Sequence, residues 1–177
     1  MGLGKTVELT SMLLNMKEAG TLNGPVLLMC PMSVVGNWEH ELRRFAPSLT
    51  VMTHHGPGRL NGDPFKESAQ KHDLVISTYA LAARDRELFE SMHWKGVVLD
   101  EAQNVKNPST KQAQAVRAFK ADFRVALTGT PVENRLSELW SILEFLNPGY
   151  LGSAAGRLSE EVAAWEADRN VLWTSVN

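Results

Sequence analysis

The sequence is short of the features that define several protein classes. It contains one cysteine, Cys30. An internal disulfide is therefore excluded, and the chain suits a reducing, intracellular compartment. No run of about 18 apolar residues occurs, so no segment reads as a transmembrane helix. The first residues carry no apolar signal-peptide stretch. There is no basic excess either, because 18 Lys+Arg stand against 20 Asp+Glu for a formal net charge of −2. A global positive field of the kind that drives tight nucleic-acid binding is thus missing, and such a partner would be held by local contacts. His54-His55 has no further His, Cys or carboxylate cluster at ligand spacing, so it reads as a strand-end pair and not a metal site. Arg43-Arg44 reads as a solvated helix face, and Cys30 as a packed strand-end residue.

What is present is ordinary in amount and ordered in pattern. The 177 residues are 44% hydrophobic and 21% charged, which suits one domain with a real core. Short apolar runs lie at 26–30, 50–52, 74–77, 97–100 and 124–128. Several are apolar on both faces, as strands of a helix-covered parallel sheet must be. Helical stripes separate them: Leu9, Met12, Leu13 and Met16; then Val35, Trp38, Leu42 and Phe45; then Leu136, Leu139, Trp140 and Leu143. Ser109 is the expected N-cap of a helix reaching Phe119. The four turn-formers between His55 and Pro64 predict a loop. The alternation predicts an α/β fold with a mostly parallel central sheet.

Three short stretches carry chemistry. Gly4-Lys5-Thr6 is the second half of the phosphate-loop pattern G-x-x-x-x-G-K-[ST], in which lysine reaches the outer phosphates and the hydroxyl binds Mg²⁺. The first glycine would fall before Met1. Alone, Gly-Lys-Thr also serves as a plain helix start. Val97 to Glu101 is an apolar strand that ends in two carboxylates. Mg²⁺ phosphoryl transfer needs a strand-end Asp for the metal's water shell and a second group to orient water. Asp100 fits the first role and Glu101 the second. Such a pair also occurs as a solvated loop start, but Gly-Lys-Thr in the same α/β pattern favours the metal reading. Thr128-Gly129-Thr130-Pro131 ends another strand, where ligands of these sheets gather.

Taken in order, five segments resemble the first RecA-like lobe of the SWI/SNF-type ATPases, the DNA-translocating branch of the superfamily-two helicases. They are Met1 to Thr6, Cys30 to Val35 with Asn37-Trp38, Ser77-Thr78-Tyr79, Asp100 to Asn107, and Leu127 to Asn134. The resemblance implies a RecA-like three-layer P-loop fold over 1–153, followed by a divergent tail over 154–177. It implies ATP and Mg²⁺ as cofactors. Gly2, Leu3, Gly4, Lys5 and Thr6 would bind nucleotide, with Thr6 and Asp100 on the metal. Lys5, Glu101 and Gln103 would be catalytic, and Thr128, Gly129 and Thr130 would couple nucleotide state to DNA. Pro31, Ser33, Ser77 and Thr78 match segments that touch the DNA backbone, where hydroxyl and N–H groups bind phosphate with few cations. The implied partners are duplex DNA or a nucleoprotein, in the cytoplasm or nucleoid of a prokaryote or in a nucleus, and no membrane. The expectation includes a front half of the loop upstream of Met1 and a second RecA-like lobe beyond Asn177. The alternative expectation is a fragment that binds nucleotide or DNA weakly and turns nothing over.

Overall fold

A computed structural model describes residues 3–129 and 136–149. The tail over 154–177 and the segment 130–135 lie outside the described residues. The apolar runs become strands β1 (Val26–Cys30), β2 (Val51–Thr53), β3 (Leu74–Thr78), β4 (His93–Asp100) and β5 (Lys120–Leu127). All pair in parallel, in the order β2-β3-β1-β4-β5. Parallel neighbours require crossovers, and α2 (Val35–Phe45), α3 (Gly62–Gln70), α4 (Tyr79–Arg84), α5 (Arg86–Glu90) and α6 (Lys111–Ala118) supply them, while α1 (Leu3–Glu18) precedes β1 and α7 (Leu136–Leu146) follows β5.

Side chains alternate along each strand, so the sheet feeds two cores. Val26, Leu28 and Cys30 face one side with Ile76 and Val98, against Leu9 and Leu13 of α1 and Trp38 and Leu42 of α2. Leu27 and Met29 face the other with Val75, Val97 and Leu99, against residues of α3 to α7. The outcome is a three-layer α/β sandwich. β2 and β5 are the two edge strands among those described, and β5 is only partly buried along its length, whereas β1 and β3 are buried throughout. At the β5 edge Gly96 lies opposite Phe123. A Cβ built on Gly96 would stand 2.2 Å from the Phe123 ring, so the ring occupies the space a side chain would need.

Several local expectations are corrected. The 55–64 stretch is a loop only to Asn61, because α3 starts at Gly62 and takes Pro64 in its first turn. There proline's missing N–H costs no intrahelical bond. The α6 cap is Thr110, whose hydroxyl accepts from Ala113 N at 3.2 Å. Ser109 instead spends its N–H and hydroxyl on Asn107 Oδ1. On α2, Phe45 is 51% exposed. On α7 the inward residues are Ser141, Ile142 and Phe145, and Leu143 is 38% exposed. The side chains of Leu136 and Leu139 lie outside the described set.

The histidine pair ends in a buried clamp. His54 is fully buried, edge-on to Phe65 and Phe89, and its Nε2 lies 3.0 Å from Asp85 Oδ2. Arg59 holds both Asp85 oxygens, Nε at 2.8 Å and Nη2 at 3.1 Å, which ties the loop after β2 to the α4–α5 junction. Burial lowers the affinity of His54 for a proton. The pull of Asp85 only partly offsets this, and Arg59 and His55 add to the lowering. The unfolded chain therefore takes up a proton near pH 6.5 that the folded chain refuses, and stability rises with pH across that window. We expect the urea midpoint to fall between pH 7 and pH 5. His54→Gln should flatten that dependence, and an unchanged slope would show that another group drives it.

Candidate functional site

The carboxyl ends of β1, β3, β4 and β5 meet the N-terminal turns of α1 on one edge of the sheet. α1 begins at Leu3, so the unpaired N–H groups of its first turn belong to the Gly4-Lys5-Thr6 segment. From that turn Lys5 Nζ reaches Glu101 Oε1 at 3.1 Å, across 96 residues of sequence. The side chains are 21% and 36% exposed, so the pair adds at most about 1 kcal/mol to stability. Its worth lies in placing an ammonium against the strand-end acids.

Glu101 takes an unusual conformation, with φ 50° at a non-glycine residue. Left-handed backbone of this kind costs on the order of 1–3 kcal/mol and persists where neighbours over-determine it. Here they do. Glu101 N donates to Asp100 Oδ1 at 2.9 Å, and Asn104 Nδ2 donates to the Glu101 carbonyl at 2.8 Å. Gln103 Nε2 donates to Glu101 Oε2 at 2.6 Å, and Thr128 Oγ1 donates to Gln103 Oε1 at 3.0 Å. One relay thus joins Lys5, Glu101, Gln103 and Thr128. The Gln103 amide is oriented by its neighbours, since a carboxylate needs its NH₂ and a hydroxyl accepts no such constraint from its oxygen. The hydrogen bond from Gln103 and the Lys5 ammonium, against an opposing effect of burial, hold the Glu101 carboxyl below the usual range. It is therefore ionised at neutral pH.

Asp100 is the most enclosed member of the group. Trp38 Nε1 donates to its Oδ2 at 2.8 Å, and Tyr79 Oη donates to its backbone carbonyl at 2.7 Å. Burial, then the Asp100 charge, raise the Tyr79 phenol well above its ordinary range, so it stays a donor. A carboxylate offers about four lone-pair sites. Two of those on Asp100 are taken, by Trp38 and by Glu101 N, and the others remain for a ligand. Burial and the Asp100 charge likewise push the Cys30 thiol up to about 12. At that value it is inert at neutral pH.

The remaining expected residues fall into place unevenly. Gly129 follows β5 beside the ammonium, since a Cβ there would lie 3.9 Å from Lys5 Nζ. Gly2 and Thr130 lie outside the described residues. Pro31 and Thr78 line one open groove of about 720 Å³, and Ser33 is exposed next to it on the turn after β1. Ser77 does not join them. It is fully buried, and its hydroxyl donates to the His54 carbonyl at 3.1 Å. Alternation along β3 turns it inward while Thr78 faces the groove. The groove also holds Arg59 and Arg84, cations that no sequence pattern singled out. Trp38 was legible in a helical stripe and a family segment, and Tyr79 only in the family segment 77–79, because neither periodicity nor a motif shows where a ring's polar atom points. Among the described residues no group of three or more metal-ligating side chains occurs, and no helix is long and apolar enough to cross a membrane.

Comparison with known proteins gives the family and the fold. The SNF2-related domain family matches residues 1–161. YwqA of Bacillus subtilis, whose name describes an ATP-dependent helicase/translocase, is 47% identical over 170 residues, which is 96% of this chain and 18% of that protein. The mouse SWI/SNF-related matrix-associated actin-dependent regulator of chromatin subfamily A member 1 is 33% identical over 174 residues, 97% of this chain and 16% of that protein. The Sulfolobus solfataricus SWI2/SNF2 ATPase core, solved in complex with dsDNA, superposes with a TM-score of 0.74 at 44% identity, over 86% of this chain and 31% of that one. The chain thus spans less than a fifth of these two curated relatives.

Proposed function

The chain belongs to the SNF2-related family, and on that premise we propose that it is the ATP-binding lobe of a DNA-dependent ATPase that moves on duplex DNA. The observation that carries this reading is the contact of Lys5 with Glu101, at 3.1 Å between segments far apart in sequence. An ammonium, a hydroxyl at Thr6, the unpaired N–H groups of a helix start and two strand-end carboxylates are the donor set that a magnesium triphosphate requires. The residues present therefore fit that group.

When bound, magnesium triphosphate supplies the anhydride to be broken and a cation that neutralises charge on it. In this proposal Gly4 and Leu3 present backbone N–H groups, Lys5 neutralises the outer phosphates, and Thr6 and Asp100 hold the metal. Lys5 leaves Glu101 for the stronger anion. That lifts one of the causes that depress Glu101, which then accepts a proton from water more readily. Gln103 keeps the carboxylate aimed and reports its state to Thr128. Pro31, Ser33 and Thr78, with Arg59 and Arg84 beside them, form the surface offered to the DNA backbone. Ser77 supports this wall from inside.

Turnover is assigned to the protein with a second RecA-like lobe, because an arginine finger from a second element contributes about 10³–10⁵ in rate in related phosphoryl-transfer systems. Residues 1–153 are the lobe in this reading, and 154–177 lie past it. The experiment is a calorimetric titration of the chain with ATP and magnesium, alongside ATP hydrolysis with and without duplex DNA. Nucleotide binding with no DNA-stimulated turnover is expected. Absence of binding would overturn the nucleotide-lobe reading, and DNA-stimulated turnover by the chain alone would overturn the division of labour.

A further inference from the structure

Asp100 is held by two aromatic side chains that belong to neither the phosphate-binding turn nor the acid pair. Trp38 stands near the start of α2, directly after the turn that carries Pro31, Met32 and Ser33. Tyr79 opens α4, immediately after Thr78. Both preceding segments line the open groove, one through Pro31 and Met32 and the other through Thr78, at the ends of the paired strands β1 and β3. From the first segment the indole N–H reaches Asp100 Oδ2 at 2.8 Å, and from the second the phenol reaches the Asp100 carbonyl at 2.7 Å. Trp38 is 2% exposed and Tyr79 4% exposed, so neither donor has water as an alternative partner.

An indole N–H only donates, and a donor facing a carboxylate makes a short, strong bond. With Oδ1 taken by Glu101 N and Oδ2 by Trp38, the plane of the carboxylate is fixed at both oxygens. The lone pairs left for a metal's water shell, one on each oxygen, are then fixed in direction. The Tyr79 bond fixes the backbone from which that side chain projects. Each of these two segments thus leads into one hydrogen bond to the same aspartate.

We propose that Trp38 and Tyr79 are positioning residues for Asp100, one holding its carboxylate and the other its backbone, and that through them a displacement of either groove-lining segment alters the aim of the metal-binding position. The inference rests on the proposed role of Asp100 as the metal-holding carboxylate. Its test therefore includes a variant that examines that role separately.

The experiment measures the affinity of Mn²⁺ for the chain saturated with ADP, by electron paramagnetic resonance of the free ion, together with the affinity for ADP without metal. Asp100→Asn should weaken Mn²⁺ binding at least tenfold. If it does not, the role of Asp100 fails and the positioning roles fail with it. Trp38→Phe keeps an aromatic ring and removes only the N–H and part of the indole. It should weaken Mn²⁺ about tenfold, as loss of a partner that orients a metal ligand does, while metal-free ADP affinity stays at the wild-type value. Tyr79→Phe should act in the same direction with a smaller effect. Equal losses with and without metal would show that Trp38 only supports the fold, and wild-type Mn²⁺ affinity beside a weakened Asp100→Asn would overturn the proposal outright. A short duplex added to the wild-type chain should shift Mn²⁺ affinity about fivefold or more, and Trp38→Phe should remove that shift. A shift that survives in the variant would overturn the link to the groove.

Discussion

Glu101→Gln should lower ATP turnover about 10²–10⁴-fold, the range lost with a general base, measured with duplex DNA in a two-lobed protein carrying this sequence. The substitution keeps size, the φ 50° backbone and the Asn104 bond to the carbonyl. It removes the charge that Lys5 neutralises, and it removes the proton acceptor. The fold should tolerate it, since so exposed an ion pair adds little to stability. Nucleotide affinity should hold or improve, because Lys5 no longer has to leave a carboxylate to reach a phosphate. Near-wild-type turnover in this variant would mean that another group activates water. A loss of nucleotide affinity equal to the loss of rate would mean that Glu101 binds nucleotide and does not act on water.

Lys5→Ala is expected to weaken ATP binding to the chain itself by roughly 10–150-fold, from about 1.5–3 kcal/mol for a hydrogen bond to a charged group. Calorimetric titration reads this directly. Two effects add. The phosphate loses its cation, and Glu101, no longer neutralised by Lys5 at 3.1 Å, repels the incoming triphosphate. Adding Glu101→Gln to Lys5→Ala should therefore recover more affinity than Glu101→Gln gains in the wild-type chain. An additive double mutant would show that the two side chains act on the nucleotide independently.

The interior strands were readable in the sequence because burial on both faces forces unbroken apolar runs. Leu74 to Ser77 and Val97 to Leu99 are of that kind, and both are buried along their length. The acid pair was readable because it stands at the end of such a run, where sheet ligands gather. α3 was hidden by Gly62 and Pro64, which signal a turn in a string of letters but fit the first turn of a helix. On α7 the run Leu139 to Leu146 is apolar nearly all round, so more than one stripe matches a helical period and only packing selects Ile142 and Phe145. At the site, the contact between Lys5 and Glu101 follows from paired motifs. The bonds of Trp38 and Tyr79 to Asp100 do not, since nothing local connects an indole on α2 to an acid 62 residues away. Ser77 and Thr78 show the limit of a motif most plainly. The two hydroxyls are adjacent in sequence, yet one is spent on His54 and the other faces the groove.

The central claim is that Lys5, Asp100 and Glu101 serve one magnesium-bound triphosphate. The direct measurement is a crystal structure of the chain with magnesium and a non-hydrolysable ATP analogue. The account predicts that Lys5 Nζ leaves Glu101 for the outer phosphates, that Asp100 holds the metal directly or through its water shell, and that Trp38 stays bonded to Asp100. A nucleotide seated elsewhere, or a metal held without Asp100, would contradict it.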